Sequence, residues 1–330
     1  MMRHAPLATV LLLAVGLFFA LSVMIGPAGL GLQETVQALL WGQGDAATLV
    51  MREIRLPRAI LAVLVGASLG LAGAAMQGYL RNPLAEPGLI GVSGSAALGA
   101  VIVLQSGLAA LWVLALPLAA LGGALLAVLL ILLLAGPRGS SLTLILAGIA
   151  ISALAGAMTT LVLNLSPNPF AASEVVFWMM GSLSDRSFDH VWIALPFIVL
   201  GWVLLLSLGR ALDVLTLGED AAATMGINTI RIRMFLVLGI ASCVGAATAV
   251  AGAIGFVGLV VPHILRSFVG ARPSALLWAS MLGGAVMVLA ADLAVRLILP
   301  DRDLKLGVLM AIIGAPFFLH LIYKTRGELR

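Results

Sequence analysis

Charge is what this 330-residue chain has least of: Asp, Glu, Lys and Arg together make up 10% of it, against about one quarter of an ordinary soluble domain. That scarcity excludes a water-soluble globular enzyme. Lysine is nearly absent, occurring only as Lys305 and Lys324, which follow Leu304 and Tyr323. A phosphate-binding P-loop requires Gly-Lys-Ser/Thr, so this chain has none, and any energy drawn from ATP must be supplied by another chain. Cysteine occurs once, as Cys243 inside an apolar run, which excludes an internal disulfide and a thiolate metal cluster. The net charge of +4 is spread over single arginines between long neutral stretches. No concentrated basic patch for nucleic acid results.

What fills the chain is apolar: 62% of it is hydrophobic and 37 residues are glycine, a composition of membrane helices packed with their backbones close together. Because a charge at the bilayer centre costs at least about 2.5 kcal/mol, intervals without Asp, Glu, Lys or Arg mark the spans. They lie at 3–34, 58–81, 86–138, 138–174, 189–210, 233–266, 272–292 and 305–324. The interval 86–138 is long enough for two helices, with a turn at Gln105-Ser106-Gly107. The interval 233–266 divides at the glycines of Ala251-Gly252-Ala253-Ile254-Gly255-Phe256-Val257-Gly258, which brings the expected number to about ten.

Topology supports the division. With ten spans and a cytoplasmic N-terminus, 11 cations face inward (Arg3, Arg81, Arg138, Arg210, Arg231, Arg233, Arg266, Arg272, Lys324, Arg326 and Arg330) and 7 outward. With nine spans the tally is 9 against 9, so the positive-inside rule favours ten. The apolar stretch 7–25 is too long for a signal-peptide core and lacks a small-x-small cleavage site, so it reads as the first span. Residues 1–330 form one transmembrane unit without a soluble domain. The stretch from Leu32 to Leu40 has the apolar spacing of an interfacial helix.

Few residues invite covalent chemistry. Gly91-Val92-Ser93-Gly94 matches a short serine-protease pattern, with His263 or His320 as a conceivable base, but the pattern is short in a chain rich in Gly and Ser and a simple helix start explains it. A proton-coupled secondary carrier, the alternative functional class, would need buried ionisable groups. Asp292 is the best candidate, although Arg296 stands one turn later on the same face. The methionines and His263 read as packing or interfacial residues, and no metal site is expected.

Two polar segments carry more information. Arg52-Glu53-Ile54-Arg55-Leu56-Pro57-Arg58 reads as an outward loop whose three arginines suit either an acidic partner or lipid phosphates. The inward segment Leu217-Gly218-Glu219-Asp220-Ala221-Ala222-Ala223-Thr224-Met225-Gly226 reads as a short helix, acidic in its first turn and closed by glycine, fit to be a handle for a motor subunit.

Taken with Arg81-Asn82-Pro83-Leu84-Ala85-Glu86-Pro87-Gly88, Phe177-Trp178-Met179-Met180-Gly181-Ser182-Leu183, the run from Gly252-Ala253-Ile254-Gly255-Phe256 through Val261-Pro262-His263-Ile264-Leu265-Arg266, and Gly314-Ala315-Pro316-Phe317-Phe318, these segments resemble the FecCD family of ABC importer permeases. The resemblance implies an all-α polytopic membrane protein with the type II ABC importer permease fold. It implies a homodimer working with two cytoplasmic ATPase subunits and a periplasmic substrate-binding protein in a bacterial inner membrane, both termini cytoplasmic. The cargo would be a bulky chelate: cobalamin, haem or a ferric siderophore. No cofactor belongs to this chain, since ATP and Mg are bound by the ATPase.

By position, Arg55, Arg58 and Arg296 resemble the arginines that dock the binding protein. Gly218, Glu219, Asp220, Ala221 and Gly226, within a coupling segment at about 210–230, resemble the element seated on the ATPase. Asn82, Leu84 and Ser141 resemble gate positions. Leu142 stands where a small polar residue can occur, and Asp303-Leu304-Lys305-Leu306-Gly307 replaces the usual Glu-Leu-Pro pattern.

Overall fold

The structure is a computed structural model describing residues 5–26, 29–42, 45–112, 114–136, 141–166, 169–298 and 304–328. Among the described residues there is no strand. The helices are α1 (Ala5–Met24), α2 (Leu32–Trp41), α3 (Ala46–Leu49), α4 (Leu56–Leu80), α5 (Val92–Gln105), α6 (Leu108–Leu111), α7 (Ala115–Ala135), α8 (Ser141–Asn164), α9 (Pro169–Met179), α10 (Phe188–Ser207), α11 (Gly209–Leu215), α12 (Glu219–Thr224), α13 (Thr229–Ala251), α14 (Val257–Arg266), α15 (Pro273–Ile298) and α16 (Leu306–Glu328). Eight of them (α1, the continuous stretch through α4, α7, α8, α10, α13, α15 and α16) are long and apolar enough to cross a membrane. The remaining two expected spans are the shorter helices α5 and α14, which arise where the two long intervals were divided. At the first division Gly107 takes a left-handed backbone, and at the second Gly252 and then Phe256 do so.

One expectation is corrected. The stretch 52–58 is not a loop: Val50–Arg55 is a π-helical turn that joins α3 to α4 without a break. Pro57 follows directly on this π-turn, at the point where the helix returns to α geometry. The stretch 32–40 is helical as expected, and Ala38 of α2 packs with Val23, Met51 and Ala59.

α4 is the central helix, buried along almost its whole length, with Leu61, Leu71 and Met76 fully enclosed. Its closest neighbour is α15, and small residues set that approach. A Cβ on Gly66 would lie 2.3 Å from the Gly284 carbonyl oxygen, and one on Gly70 would lie 2.0 Å from that of Ser280. Without side chains between them, the two backbones touch, the contact that replaces the hydrophobic effect as the driving force between helices in lipid. The buried Ser68 of α4 is satisfied within its helix and across to α10: its Oγ donates to the Leu64 carbonyl at 2.7 Å and accepts from Trp202 Nε1 at 3.0 Å. Around this core, Leu13, Leu125, Leu133, Leu200, Ile312 and Leu319 are exposed, an apolar exterior suited to acyl chains.

Candidate functional site

At the end of the bundle where α1 and α15 finish and α4 begins, two arginines meet one carboxylate and a third meets the end of α1. Asp292 is completely buried. Arg58 donates to it from Nε, at 3.0 and 3.2 Å to its two oxygens, and from Nη2 at 2.8 Å. Arg296, one turn along α15, donates to Oδ2 from Nε at 3.1 Å and also from Nη2. Arg296 Nη1 then reaches the carbonyls of Ser22 at 2.8 Å and Ile25 at 3.0 Å, while Arg55 Nη1 reaches that of Met24 at 2.8 Å. Ser22 and Met24 carry the last carbonyls of α1, which lack partners within their own helix and carry its partial negative charge, and Ile25 follows directly on it. The cluster therefore keeps a positive surplus: one carboxylate and a helix end worth about half a negative charge stand against three guanidinium groups.

This geometry unites two readings that the sequence left side by side. The local pair between Asp292 and Arg296 exists, and Arg58, 234 residues away, shares the same carboxylate. Arg55 is 3% exposed and the Arg296 side chain 8%, so the Arg58 side chain, at 17%, is the most accessible of the three. The carbonyls of α1 as partners were invisible in the sequence, since a backbone acceptor leaves no residue-type signature. Lys305 lies over the Phe177 ring at 5.8 Å, and Asp303 lies outside the described residues.

The opposite end holds the expected coupling segment. α12 projects between α11 and α13, with Glu219, Asp220 and Gly226 exposed, Ala221 half-buried and Ala222 buried. Gly218, at φ +108°, starts the helix in a backbone conformation that side chains disfavour. Leu217 is 67% exposed and Met225 60%, so an apolar residue flanks the acidic turn on each side. That pair was not singled out from sequence, where single apolar residues are unremarkable in a chain this hydrophobic.

Beside it, Asp213 caps α15. Ser274 donates its N–H to Oδ1 at 2.8 Å and its hydroxyl to Oδ2 at 2.7 Å, and Arg272 Nε donates to Oδ2 at 2.8 Å. Partial burial pushes the Asp213 carboxyl up, but the Ser274 and Arg272 hydrogen bonds outweigh it and hold it below the usual carboxylate value. A depressed folded-state value stabilises the fold at pH above the unfolded value, and the contribution disappears as pH falls through the folded one. The melting-temperature gap between wild type and Asp213→Asn, measured in detergent, is therefore expected to be constant from neutrality to about pH 5 and to shrink below about pH 4. A gap that widens with acid would contradict this assignment.

The positions expected at a gate lie near this end too. Asn82 Oδ1 accepts the Leu84 N–H at 2.9 Å, fixing a tight turn after Arg81, while the Ser141 side chain lies outside the described residues. Leu142 is 64% exposed. Glu86, in the same turn, accepts the Phe256 N–H at 2.8 Å and so caps the half-helix α14, a tie between segments 170 residues apart. Ser93 sits in the first turn of α5, as a plain helix start requires. His263 on α14 meets the Phe317 ring edge-on at 5.7 Å.

Comparison with known proteins decides what this arrangement belongs to. The model of the FecCD transport family matches residues 12–324. The chain belongs to the FecCD transport family. It is 39% identical to the Fe(3+) dicitrate transport system permease protein of Escherichia coli K12, over 87% of this chain and 89% of that one. It is 40% identical to the vitamin B12 import system permease protein of Klebsiella pneumoniae, over 84% and 83%. Among solved structures, an inward-facing metal-chelate type ABC transporter superposes with a TM-score of 0.85 at 32% identity, covering 96% of this chain and 98% of that one. This FecCD protein is thus a multi-pass membrane permease of the ABC transporter class, a transport subunit that works with ATPase and substrate-binding partners rather than a catalyst.

Proposed function

We propose that two copies of this permease form a pore for a bulky metal chelate (a ferric siderophore, haem or cobalamin) in a bacterial inner membrane, importing it by alternating access. Both termini then lie in the cytoplasm. The observation that carries the reading is α12 itself. It is a six-residue helix held between two packed helices, acidic at its start and flanked by exposed Leu217 and Met225. An acidic turn bordered by apolar side chains suits a groove on another protein better than water or lipid. Two ATPase subunits, which bind ATP and Mg, grip these helices through Gly218, Glu219, Asp220, Ala221 and Gly226. Closure of the motors then moves α11 and α13 and, with them, the gate at Asn82, Leu84 and Ser141.

At the other end a periplasmic binding protein delivers the cargo. Acidic residues of that protein approach Arg58 directly, while Arg55 and Arg296 act mainly by holding the cluster in place, being turned inward onto α1 and Asp292. The names of the relatives support a chelate as cargo, and selectivity among chelates resides largely in the binding protein.

The test is uptake and ATPase activity of the reconstituted complex. Leu217→Asp with Met225→Asp is expected to lower co-purification of the ATPase at least tenfold while leaving the permease folded, because both side chains are mostly out of the core. Full retention of the ATPase and of coupled uptake would refute the role of α12.

A further inference from the structure

Between α4, α11, α14 and α15, at the α12 end, lies a cavity of about 200 Å³ whose lining includes Gln77, Arg81, Thr216, Arg266 and Pro273. This is far more room than a single bound water needs. Two of its walls are guanidinium groups and none is a carboxylate. Asp213, three residues before Thr216, is already engaged by Arg272 and Ser274. Arg266 spends Nη2 on Gln77 Oε1 at 2.7 Å, and Gln77 is held in turn by the carbonyls of Gly258 at 3.3 Å and Leu259 at 3.4 Å. The Nε–H of Arg266 is buried and has no partner among the described residues. A buried guanidinium donor without an acceptor marks a place where an anionic oxygen belongs.

Arg81 and Arg266 stand at the C-terminal ends of α4 and α14, where the apolar part of the bundle stops. At the same level along the helices Ile264 is 49% exposed and Phe268 64%, and Trp278 on the second turn of α15 is 57% exposed. An indole and apolar side chains at helix ends mark the interfacial layer of a membrane. From these observations we infer that the cavity binds the phosphate of an anionic phospholipid headgroup, with Arg81 and Arg266 as its two cationic contacts. A lipid fits better than a free anion because Ile264, Phe268 and Trp278 put the two cations at the depth where headgroup phosphates lie. The site stands on these side chains alone and depends on neither the cargo nor the motor assignment.

Native mass spectrometry of the purified permease in neutral detergent, titrated with phosphatidylglycerol or phosphatidylcholine, tests it. Wild type is expected to retain phosphatidylglycerol in preference. The preference should fall about fivefold for each arginine removed in Arg81→Gln and in the double variant with Arg266→Gln, and persist in Arg81→Lys. Arg210→Gln, at an exposed arginine outside the cavity lining, should change nothing. Arg81 is exposed, so its variant remains informative even where loss of Arg266, which is tied to Gln77, disturbs folding. Equal retention of both lipids, or a preference unmoved by Arg81→Gln, would overturn the inference. Displacement of phosphatidylglycerol by millimolar inorganic phosphate would overturn the lipid assignment and leave a soluble-anion site.

Discussion

Asp292→Asn is expected to destabilise the permease by about 3 to 5 kcal/mol, one of the two largest single-residue effects in the chain. Asp292 is fully buried and answers both Arg58 and Arg296, so neutralising it leaves two cations facing each other inside the protein. Removing one arginine is gentler, since Asp292 keeps the other. The ordering expected in thermal unfolding, followed by tryptophan fluorescence in detergent, is Asp292→Asn first and Arg58→Gln well behind. The double variant Asp292→Asn with Arg58→Gln should be more stable than Asp292→Asn alone, because one of the two orphaned charges has gone with its partner. Costs that simply add would show that the cluster is not a coupled unit.

Gly73→Ala is the second large effect, and it adds only a methyl group. That Cβ would stand 1.9 Å from the Gly258 carbonyl oxygen and 2.4 Å from the Gly258 Cα, both of them backbone atoms that no rotamer change can move aside. α4 and α14 would have to separate, and the hydrogen bonds from Gln77 to the Gly258 and Leu259 carbonyls would go with them. A loss of about 3 kcal/mol is expected, the upper part of the usual range for overpacking. Gly122→Ala and Gly156→Ala form the internal control. Both face open space within helices, where alanine is the better helix former by about 0.5 to 1 kcal/mol, so neither should lower the melting temperature. If Gly73→Ala behaves like these two, the close approach of α4 and α14 does not exist in the folded protein.

How far the sequence reached can be judged from particular segments. The long spans were legible because excluding charge from the bilayer is so costly that uncharged intervals and helices nearly coincide. The divisions at Gly107 and at 252–256 were legible because glycine marks backbone that other residues resist. The stretch 52–58 misled for an equally physical reason: three arginines and a glutamate around Pro57 read as a loop only while their charges have no partners. The partners lie outside the segment: the Leu39 carbonyl of α2 for Arg52, the Met24 carbonyl of α1 for Arg55 and Asp292 for Arg58.

The sequence by itself determined that this is a polytopic membrane helix bundle with no motor of its own, and its motifs placed it among the FecCD permeases. Those conclusions rest on properties summed along the chain: hydropathy, charge spacing, and short runs of residues. Tertiary structure alone decided that Asp292 serves two arginines, that Glu86 caps α14, that Leu217 and Met225 flank α12 in the open, and that Arg81 and Arg266 share an acid-free cavity. Each of these depends on which residue a helix end or backbone carbonyl meets across space, and one-dimensional spacing does not encode that meeting.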